Sequence, residues 1–268
     1  MVNLGRHNVL GILVDAVDYD AVVQRIMQAA TERRGLTVGA LAVHGIMCGA
    51  LDPVHRFRLN AFDLVVPDGQ PVRWALRLLH GVGLVERVYG PTLMARVCAR
   101  AAADGVPIFL FGTTDALLGT LRQRLEARYP GLIIAGHRPS RFRRLATAER
   151  DEVITEIRES GAAITFVGLG CPRQEVWAYE CRDALGMPII TVGAAFAFHA
   201  GTLTQAPPIL GDYGLEWLFR LIAEPARLWR RYLVLNPLYL TLLALQLSRA
   251  RRFDPADAVR PQDDLLYG

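Results

Sequence analysis

The sequence predicts an α/β fold with a mostly parallel sheet flanked by helices. Two observations support this prediction. Short runs rich in β-branched and apolar residues alternate with helical patterns along the chain, and several of these runs have the composition of buried strands. The length of 268 residues is sufficient for one large domain, or for a core with an appendage.

Seven segments have the composition of strands: 9–14, 36–43, 61–66, 107–112, 132–136, 163–168 and 189–192. Helices are predicted between them, and the first of these helices, over residues 19–33, has Asp18 as its N-cap. Residues 201–213 are predicted as a linker between an α/β core of residues 1–200 and a helical appendage of residues 214–252. The polar, Pro- and Asp-rich residues 253–268 predict a disordered tail.

The predicted appendage contains the most informative segment, residues 214–232. It holds four arginines, two tryptophans and many large apolar residues. Pro225 divides it into two helical runs, because proline fits the first turn of a helix but not its interior. The spacing of Arg220, Arg227 and Arg231 would place all three on one side of a continuous helix. Such a segment fits an interfacial membrane helix or a phosphate-binding surface; the alternative is a core-packing helix pair with solvated arginines.

Positive charge is concentrated at this end of the chain. The net charge is only +4, but residues 220–252 contain seven arginines and one acidic residue, Glu224. Because Leu, Trp and Phe are interleaved with the arginines, an anionic membrane surface is favoured over nucleic acid as the partner. No apolar run reaches the roughly 18–20 residues that span a bilayer, so peripheral attachment is expected. The hydrophobic content of 52% also favours self-association into a homo-oligomer.

The four cysteines, Cys48, Cys98, Cys171 and Cys181, have no CxxC or CxxH spacing. They predict scattered thiols in a reducing cytosol, with neither a disulfide framework nor a zinc site. Residues 1–15 lack the charged and apolar regions of a secretory signal, so a cytosolic location is expected.

Ligands of parallel α/β sheets bind outside the carboxyl ends of the strands, so the loops after predicted strands form the candidate site. Asp68 follows the third predicted strand in a Pro-Asp-Gly turn, where it is a candidate general base or an ordinary turn residue. Gly193 and Phe196 follow the last predicted strand. Arg87 and Tyr89 precede a predicted helix start and either line the same cleft or brace it.

A further loop, residues 168–175, offers more specific chemistry. Gly168 and Gly170 allow a ligand to approach the backbone, Arg173 adds a positive charge, and Gln174 can form hydrogen bonds with a sugar or a base. The loop lacks the Gly-Lys-Ser/Thr end of a P-loop and the GxGxxG pattern of dinucleotide-binding folds. The alternative is a plain turn between a strand and a helix.

Taken in order, these motifs resemble those of the WecG/TagA/CpsF family of glycosyltransferases. The resemblance covers about residues 9–232, and each motif is weak alone but specific in combination. The motifs are Pro67-Asp68-Gly69, RVYGP at 87–91, VGLGCPRQEVW at 167–177, GAAF at 193–196 with Ala200-Gly201, and the GLEW, RL and EP positions between 214 and Arg227.

The resemblance implies a Rossmann-like core and an appendage that completes the active site at the membrane. It implies an inverting transfer from a UDP-sugar donor to a polyprenyl-diphosphate-linked sugar acceptor, in cell-surface or exopolysaccharide synthesis. No metal or other cofactor is expected. The expected location is peripheral, on the cytoplasmic face of the inner membrane.

The resemblance also implies roles for individual residues. Asp68 corresponds to the family's proposed base, and Gln174 lies in the donor pocket. The remaining residues expected at the donor are Gly168, Gly170, Arg173, Gly193 and Phe196. Those expected at the acceptor or the diphosphate are His44, Arg87, Tyr89, Arg220, Arg227 and Arg230.

The chain departs from the family pattern at two places. Ala197 follows Phe196 where the family commonly has aspartate, and His44 stands near the position of a Thr-x-Asn-like strand end. The loss of the aspartate leaves open a second hypothesis, a non-catalytic relative that scaffolds a polysaccharide assembly complex. A soluble dinucleotide-dependent oxidoreductase is a third hypothesis, but the fingerprint glycines and the ribose-binding acid are missing.

Overall fold

Two sheets are present in the computed structural model, which describes residues 1–268 apart from the side chains of Pro208, Asp212 and Arg227. The strands are β1 (Asn3–Val9), β2 (Ile12–Val17), β3 (Leu36–Leu41), β4 (Leu64–Pro67), β5 (Ile108–Gly112), β6 (Ile134–Arg138), β7 (Ile164–Gly168) and β8 (Pro188–Thr191). Strands β3 to β8 form a six-stranded parallel sheet in the order β4-β3-β8-β7-β5-β6. The predicted parallel sheet is confirmed.

Strands β1 and β2 form a separate antiparallel hairpin. The prediction of one strand over residues 9–14 is therefore wrong. Leu10 and Gly11 make the turn with φ angles of 53° and 86°, the left-handed conformation that two-residue hairpin turns of type I′ require. Leucine seldom adopts this conformation, so the apolar sequence gave no indication of a turn at this position.

Helices flank the parallel sheet. They are α1 (Tyr19–Thr31), α2 (Val43–Leu51), α3 (Pro53–Asn60), α4 (Gln70–His80), α5 (Gly90–Asp104), α6 (Asp115–Arg128), α7 (Thr147–Glu159), α8 (Arg173–Leu185), α9 (Ala195–His199), α10 (Pro208–Asp212), α11 (Glu216–Ala223), α12 (Pro225–Leu233) and α13 (Leu235–Leu247). The predicted N-cap of α1 is confirmed, because Asp18 accepts a hydrogen bond from the backbone N–H of Ala21 at 2.9 Å.

The parallel sheet has an apolar core on each face, and each core is covered by a different set of helices. Ile108 and Leu110 of β5 point into a core shared with α1, α5, α6 and α9. Phe109 and Phe111 point into the opposite core, shared with α2, α3, α4, α7, α8 and the hairpin. The alternation follows from the two-residue period of a strand.

Helix α13 belongs to the second of these cores. Tyr239, Leu242 and Leu243 are buried there, where the helix packs on α2 and α4. Within the described part of the chain, no helix has both the length and the hydropathy needed to cross a bilayer.

The C-terminal segment, predicted to be disordered, is held against the core. The backbone N–H groups of Leu265 and Leu266 donate to the two carboxylate oxygens of Glu180, at 2.7 and 3.0 Å. The N–H of Leu145 donates to the carbonyl of Leu266 at 2.7 Å. The prediction failed because a polar composition does not reveal specific backbone contacts. Here the backbone N–H groups of the segment supply hydrogen bonds to the partly buried carboxylate of Glu180.

Close packing at the carboxyl edge of the sheet requires a glycine at the end of β7. A Cβ atom on Gly168 would lie 2.5 Å from the ring of Phe196, a buried residue of α9. Gly168 therefore leaves space for the Phe196 ring. The sequence alone instead suggests that this glycine allows a ligand to approach the backbone. Phe196 in turn closes one side of the carboxyl edge.

We expect Gly168→Ala to lower the free energy of unfolding by about 1–3 kcal/mol, because the added methyl group overpacks the Phe196 ring. The matched control is Gly119→Ala in α6, where a Cβ atom meets nothing within 4 Å and alanine favours the helix by up to about 1 kcal/mol. Urea denaturation followed by circular dichroism measures both. Equal midpoints for Gly168→Ala and the unmodified chain would contradict this account of the packing.

Candidate functional site

A cavity of about 530 Å³ opens at the carboxyl edge of the parallel sheet. The loops after β3, β4, β7 and β8 form its floor and walls, and α11 and α12 complete it. Ten of the residues predicted for the site line this cavity: His44, Asp68, Arg87, Tyr89, Gly168, Gly170, Gln174, Gly193, Phe196 and Arg220. Candidate residues separated by up to 176 positions (44 to 220) are thus brought together.

Two predicted residues lie elsewhere. Arg173 is exposed, and its guanidinium carbon lies 5.7 Å from the ring centroid of Tyr267 in the C-terminal segment. Arg230 is also exposed, 5.4 Å from the ring centroid of Trp229. These two arginines therefore do not line the cavity, and their predicted roles toward donor and diphosphate stay predictions. The side chain of Arg227 lies outside the described residues.

Asp68 directly follows β4, and backbone contacts hold the chain around it. The N–H of Val88 donates to the carbonyl of Pro67 at 3.0 Å, which brings the next loop alongside. The N–H of Gly90 then donates to Oδ1 of Asp68 at 2.9 Å. Burial raises the pKa of Asp68 to about 6, against the lowering effects of Arg87 and of the Gly90 hydrogen bond. A carboxylate of this pKa is ionised at neutral pH and is more basic than an ordinary aspartate.

Arg87 and Tyr89 connect Asp68 to the C-terminal helices through Glu216. Arg87 Nη2 donates to Glu216 Oε2 at 2.6 Å, and the Tyr89 hydroxyl donates to Oε1 at 2.9 Å. The guanidinium of Arg87 also stacks on the Tyr89 ring at 4.4 Å. Glu216 was not predicted as a site residue. It lies in the GLEW motif, but nothing local in the sequence specifies its partner.

Two guanidinium groups of the C-terminal helices face the cavity with unused donors. Arg220, on α11, and Arg231, on α12, both line it. The Nε atom of each is buried and has no hydrogen-bond partner among the described residues. Of the two α12 arginines whose side chains are described, Arg231 lines the cavity and Arg230 does not. The sequence spacing that aligned Arg231 with Arg220 was the signal for it. Buried N–H groups of arginine are well suited to an anionic ligand.

Gln174 lies at the cavity floor and is held on both sides. Its Nε2 donates to Glu175 Oε1 at 2.8 Å, and its Oε1 accepts from the N–H of Gly170 at 3.2 Å. Burial raises the pKa of Glu175 to about 7. The Gln174 amide lies 3.5 to 3.6 Å from the Cβ position of Gly193, so a larger residue there would press on it.

Three further groups meet beside the cavity, and two of them, His44 and Cys171, line it. The sulfur atoms of Cys48 and Cys171 lie 4.0 Å apart, and the ring nitrogens of His44 lie 3.9 and 4.0 Å from the sulfur of Cys48. The Cys171 thiol donates to Cys48, which lowers the pKa of Cys48 and raises that of Cys171. The prediction of scattered thiols is wrong for this pair, because the fold brings together residues 123 positions apart.

The arrangement combines a carboxylate of raised pKa with arginine donors in one cavity. Such a site can accept a proton from a hydroxyl group and stabilise a departing anion.

Comparison with known families agrees with this chemistry. A family model described as the glycosyl transferase WecG/TagA/CpsF family matches residues 7–253. The match spans every strand and helix that lines the cavity and confirms the resemblance found in the sequence motifs. The chain belongs to the WecG/TagA/CpsF family of glycosyltransferases.

Proposed function

We propose that the protein is an inverting glycosyltransferase that moves a sugar from a UDP-sugar to a polyprenyl-diphosphate-linked saccharide. The reaction would serve cell-surface or exopolysaccharide synthesis on the cytoplasmic face of the inner membrane. The observation that supports this most directly is the placement of Asp68 in one cavity with Arg87, Arg220 and Arg231.

In the proposed step, Asp68 accepts the proton of the acceptor hydroxyl while the hydroxyl oxygen attacks the anomeric carbon of the donor. The bond between the anomeric carbon and the diphosphate oxygen breaks, and UDP leaves with both bonding electrons. Attack opposite the leaving group inverts the configuration at this carbon. One general base is sufficient for such a displacement.

Positive charge near the leaving diphosphate is the second requirement. In the proposal, Arg87 and Arg220 supply it, and their fixed positions favour the charge that develops as UDP departs. The unpartnered Nε atom of Arg220 is a ready donor for a phosphate oxygen. No metal ion takes part in this step as we propose it.

Membrane attachment is proposed from the two faces of α11 and α12. Trp217, Arg220 and Tyr232 line the cavity, whereas Ile222 is 74% exposed and Trp229 is 46% exposed. Exposed apolar side chains beside arginines suit the interface of an anionic membrane. The same two helices would then hold the donor on one face and the lipid surface on the other.

One observation favours the alternative of a non-catalytic scaffold. Ala197 lines the cavity at the position where the family commonly has aspartate. If that acid is needed to hold the donor or to complete the reaction, this chain would bind a ligand without turning it over.

The deciding experiment measures UDP release from a panel of UDP-sugars, with and without a short-chain polyprenyl-diphosphate-linked sugar. Release that depends on the acceptor would support the transferase and identify its donor sugar. Calorimetric binding of UDP without release from any donor would support the scaffold.

We expect Asp68→Asn to abolish acceptor-dependent turnover, because an amide does not accept the hydroxyl proton. Donor binding, measured by calorimetry, should remain nearly unchanged. Asp183→Asn is the control, since Asp183 is 92% exposed and lies outside the cavity. Full activity of Asp68→Asn would rule out Asp68 as the base.

The pH profile provides an independent check on the same residue. Because the raised pKa of Asp68 is about 6, the base is protonated and inactive at lower pH. We expect kcat/KM to fall about tenfold for each pH unit below this pKa. Above the pKa, where Asp68 is ionised, kcat/KM should no longer rise with pH. If Asp68→Asn retains a trace of turnover, that rate should lack this dependence on pH. A profile without an inflection near the raised pKa would contradict the assignment.

Arg220 and Arg230 offer a matched pair for separating donor binding from membrane binding. Arg220→Gln should weaken UDP-sugar binding roughly tenfold or more, because a hydrogen bond to a charged group contributes about 1.5–3 kcal/mol. Arg230→Gln should leave donor binding unchanged and weaken binding to anionic vesicles by up to about 1 kcal/mol. Calorimetry and vesicle sedimentation measure the two effects. Equal donor affinities for both variants would contradict the placement of the diphosphate.

A further inference from the structure

Three side chains of types that can bind a metal ion converge beside the cavity, and two of them, His44 and Cys171, line it. His44 and Cys48 lie four residues apart on α2, so they occupy one face of that helix. Cys171 comes from the loop after β7. One ligand atom from each residue lies within 4.8 Å of the other two. None of these groups has a part in the transfer step as described above, so their convergence needs its own explanation.

We propose that His44, Cys48 and Cys171 form a binding site for Zn²⁺. Two thiolates and an imidazole are the ligand types that select zinc among common divalent ions. Zinc sites with three protein ligands leave the fourth position to water or to a substrate atom. Because His44 and Cys171 line the cavity, that position is accessible from it.

The distances fit zinc better than they fit a disulfide bond. With Zn–S bonds of about 2.3 Å, tetrahedral coordination places two sulfur atoms about 3.8 Å apart. The two sulfur atoms are 4.0 Å apart, so this pair needs to approach by only a few tenths of an ångström. A disulfide needs a separation of about 2.05 Å, roughly 2 Å less than the observed one.

Charge balance also fits zinc at this place. Both thiols lose their protons when zinc binds. The two positive charges of the ion balance the two thiolates, so the occupied site carries no net charge from these ligands. Occupation would tie the loop after β7 to α2, two elements that border the same cavity.

The test uses the full chain, free of any affinity tag and kept reduced, after removal of metal with a chelator. Titration with Co²⁺ should produce the thiolate-to-cobalt charge-transfer absorption and the visible bands of tetrahedral cobalt. Added Zn²⁺ should abolish both, because it displaces cobalt from nitrogen and sulfur ligands. Absence of the charge-transfer band would overturn the proposal.

Variants separate this site from adventitious binding. Cys48→Ser and Cys171→Ser should each weaken Zn²⁺ binding, measured against a chromophoric chelator, roughly tenfold or more. Cys98→Ser is the control, since Cys98 is fully buried in the core that α5 shares with α1, α6 and α9 and does not belong to the cluster. Unchanged affinity in both cluster variants would overturn the assignment.

Thermal unfolding shows whether a variant binds zinc weakly because it lacks a ligand or because it is misfolded. Zn²⁺ should raise the Tm of the unmodified chain and of Cys98→Ser, because a ligand bound only by the folded state stabilises it. It should not raise the Tm of Cys48→Ser or Cys171→Ser. An equal rise in all four proteins would contradict the site. None of these measurements depends on sugar transfer, so they stand or fall separately from the proposed activity.

Discussion

The pair of hydrogen bonds that Glu216 accepts from Arg87 and Tyr89 is the contact on which the cavity depends. It joins a C-terminal helix to a loop 127 to 129 residues earlier in the chain. The two charged side chains are only 16% and 15% exposed, so removal of either one would leave a poorly solvated charge, at a cost of about 3–5 kcal/mol. The same contact orients α11, whose next turn brings Arg220 to the cavity.

This network also sets the chemistry of Asp68. Burial favours the neutral carboxyl group, whereas Arg87 favours the carboxylate. Glu216 neutralises part of the charge of Arg87, and its own negative charge raises the pKa of Asp68 further. Burial prevails, and the result is a carboxylate that is ionised at neutral pH and still basic. An unpaired Arg87 would stabilise the carboxylate more strongly and would make it a weaker base.

The order of the strands explains why the other groups converge here. Strand β8 lies between β3 and β7 in the sheet, so the loops after these three strands share one edge. His44 follows β3, Cys171 follows β7 and Gly193 follows β8. Small residues at this edge leave space for Phe196 and for a ligand. A cavity with both a basic carboxylate and a thiol–imidazole cluster is a consequence of that shared edge.

The sequence alone determined the features that depend on local pattern. The alternation of strands and helices, the Asp18 cap, the placement of Asp68 after a strand and the spacing of Arg220 and Arg231 all follow from short-range periodicity and turn chemistry. The same local reasoning failed where a residue adopts a backbone conformation that is rare for its type, as Leu10 does in the hairpin turn. Composition likewise failed for the C-terminal segment, whose order comes from two backbone donors to Glu180.

Only the tertiary structure decided which partners meet. The pairing of Glu216 with Arg87, the approach of Cys48 to Cys171 and the choice of Arg231 over Arg230 depend on how distant elements pack. The burial that raises the pKa of Asp68 has the same origin. These interactions join residues many positions apart, and no local pattern specifies the partner, because the contact energy is gained only after the sheet order has brought the loops together.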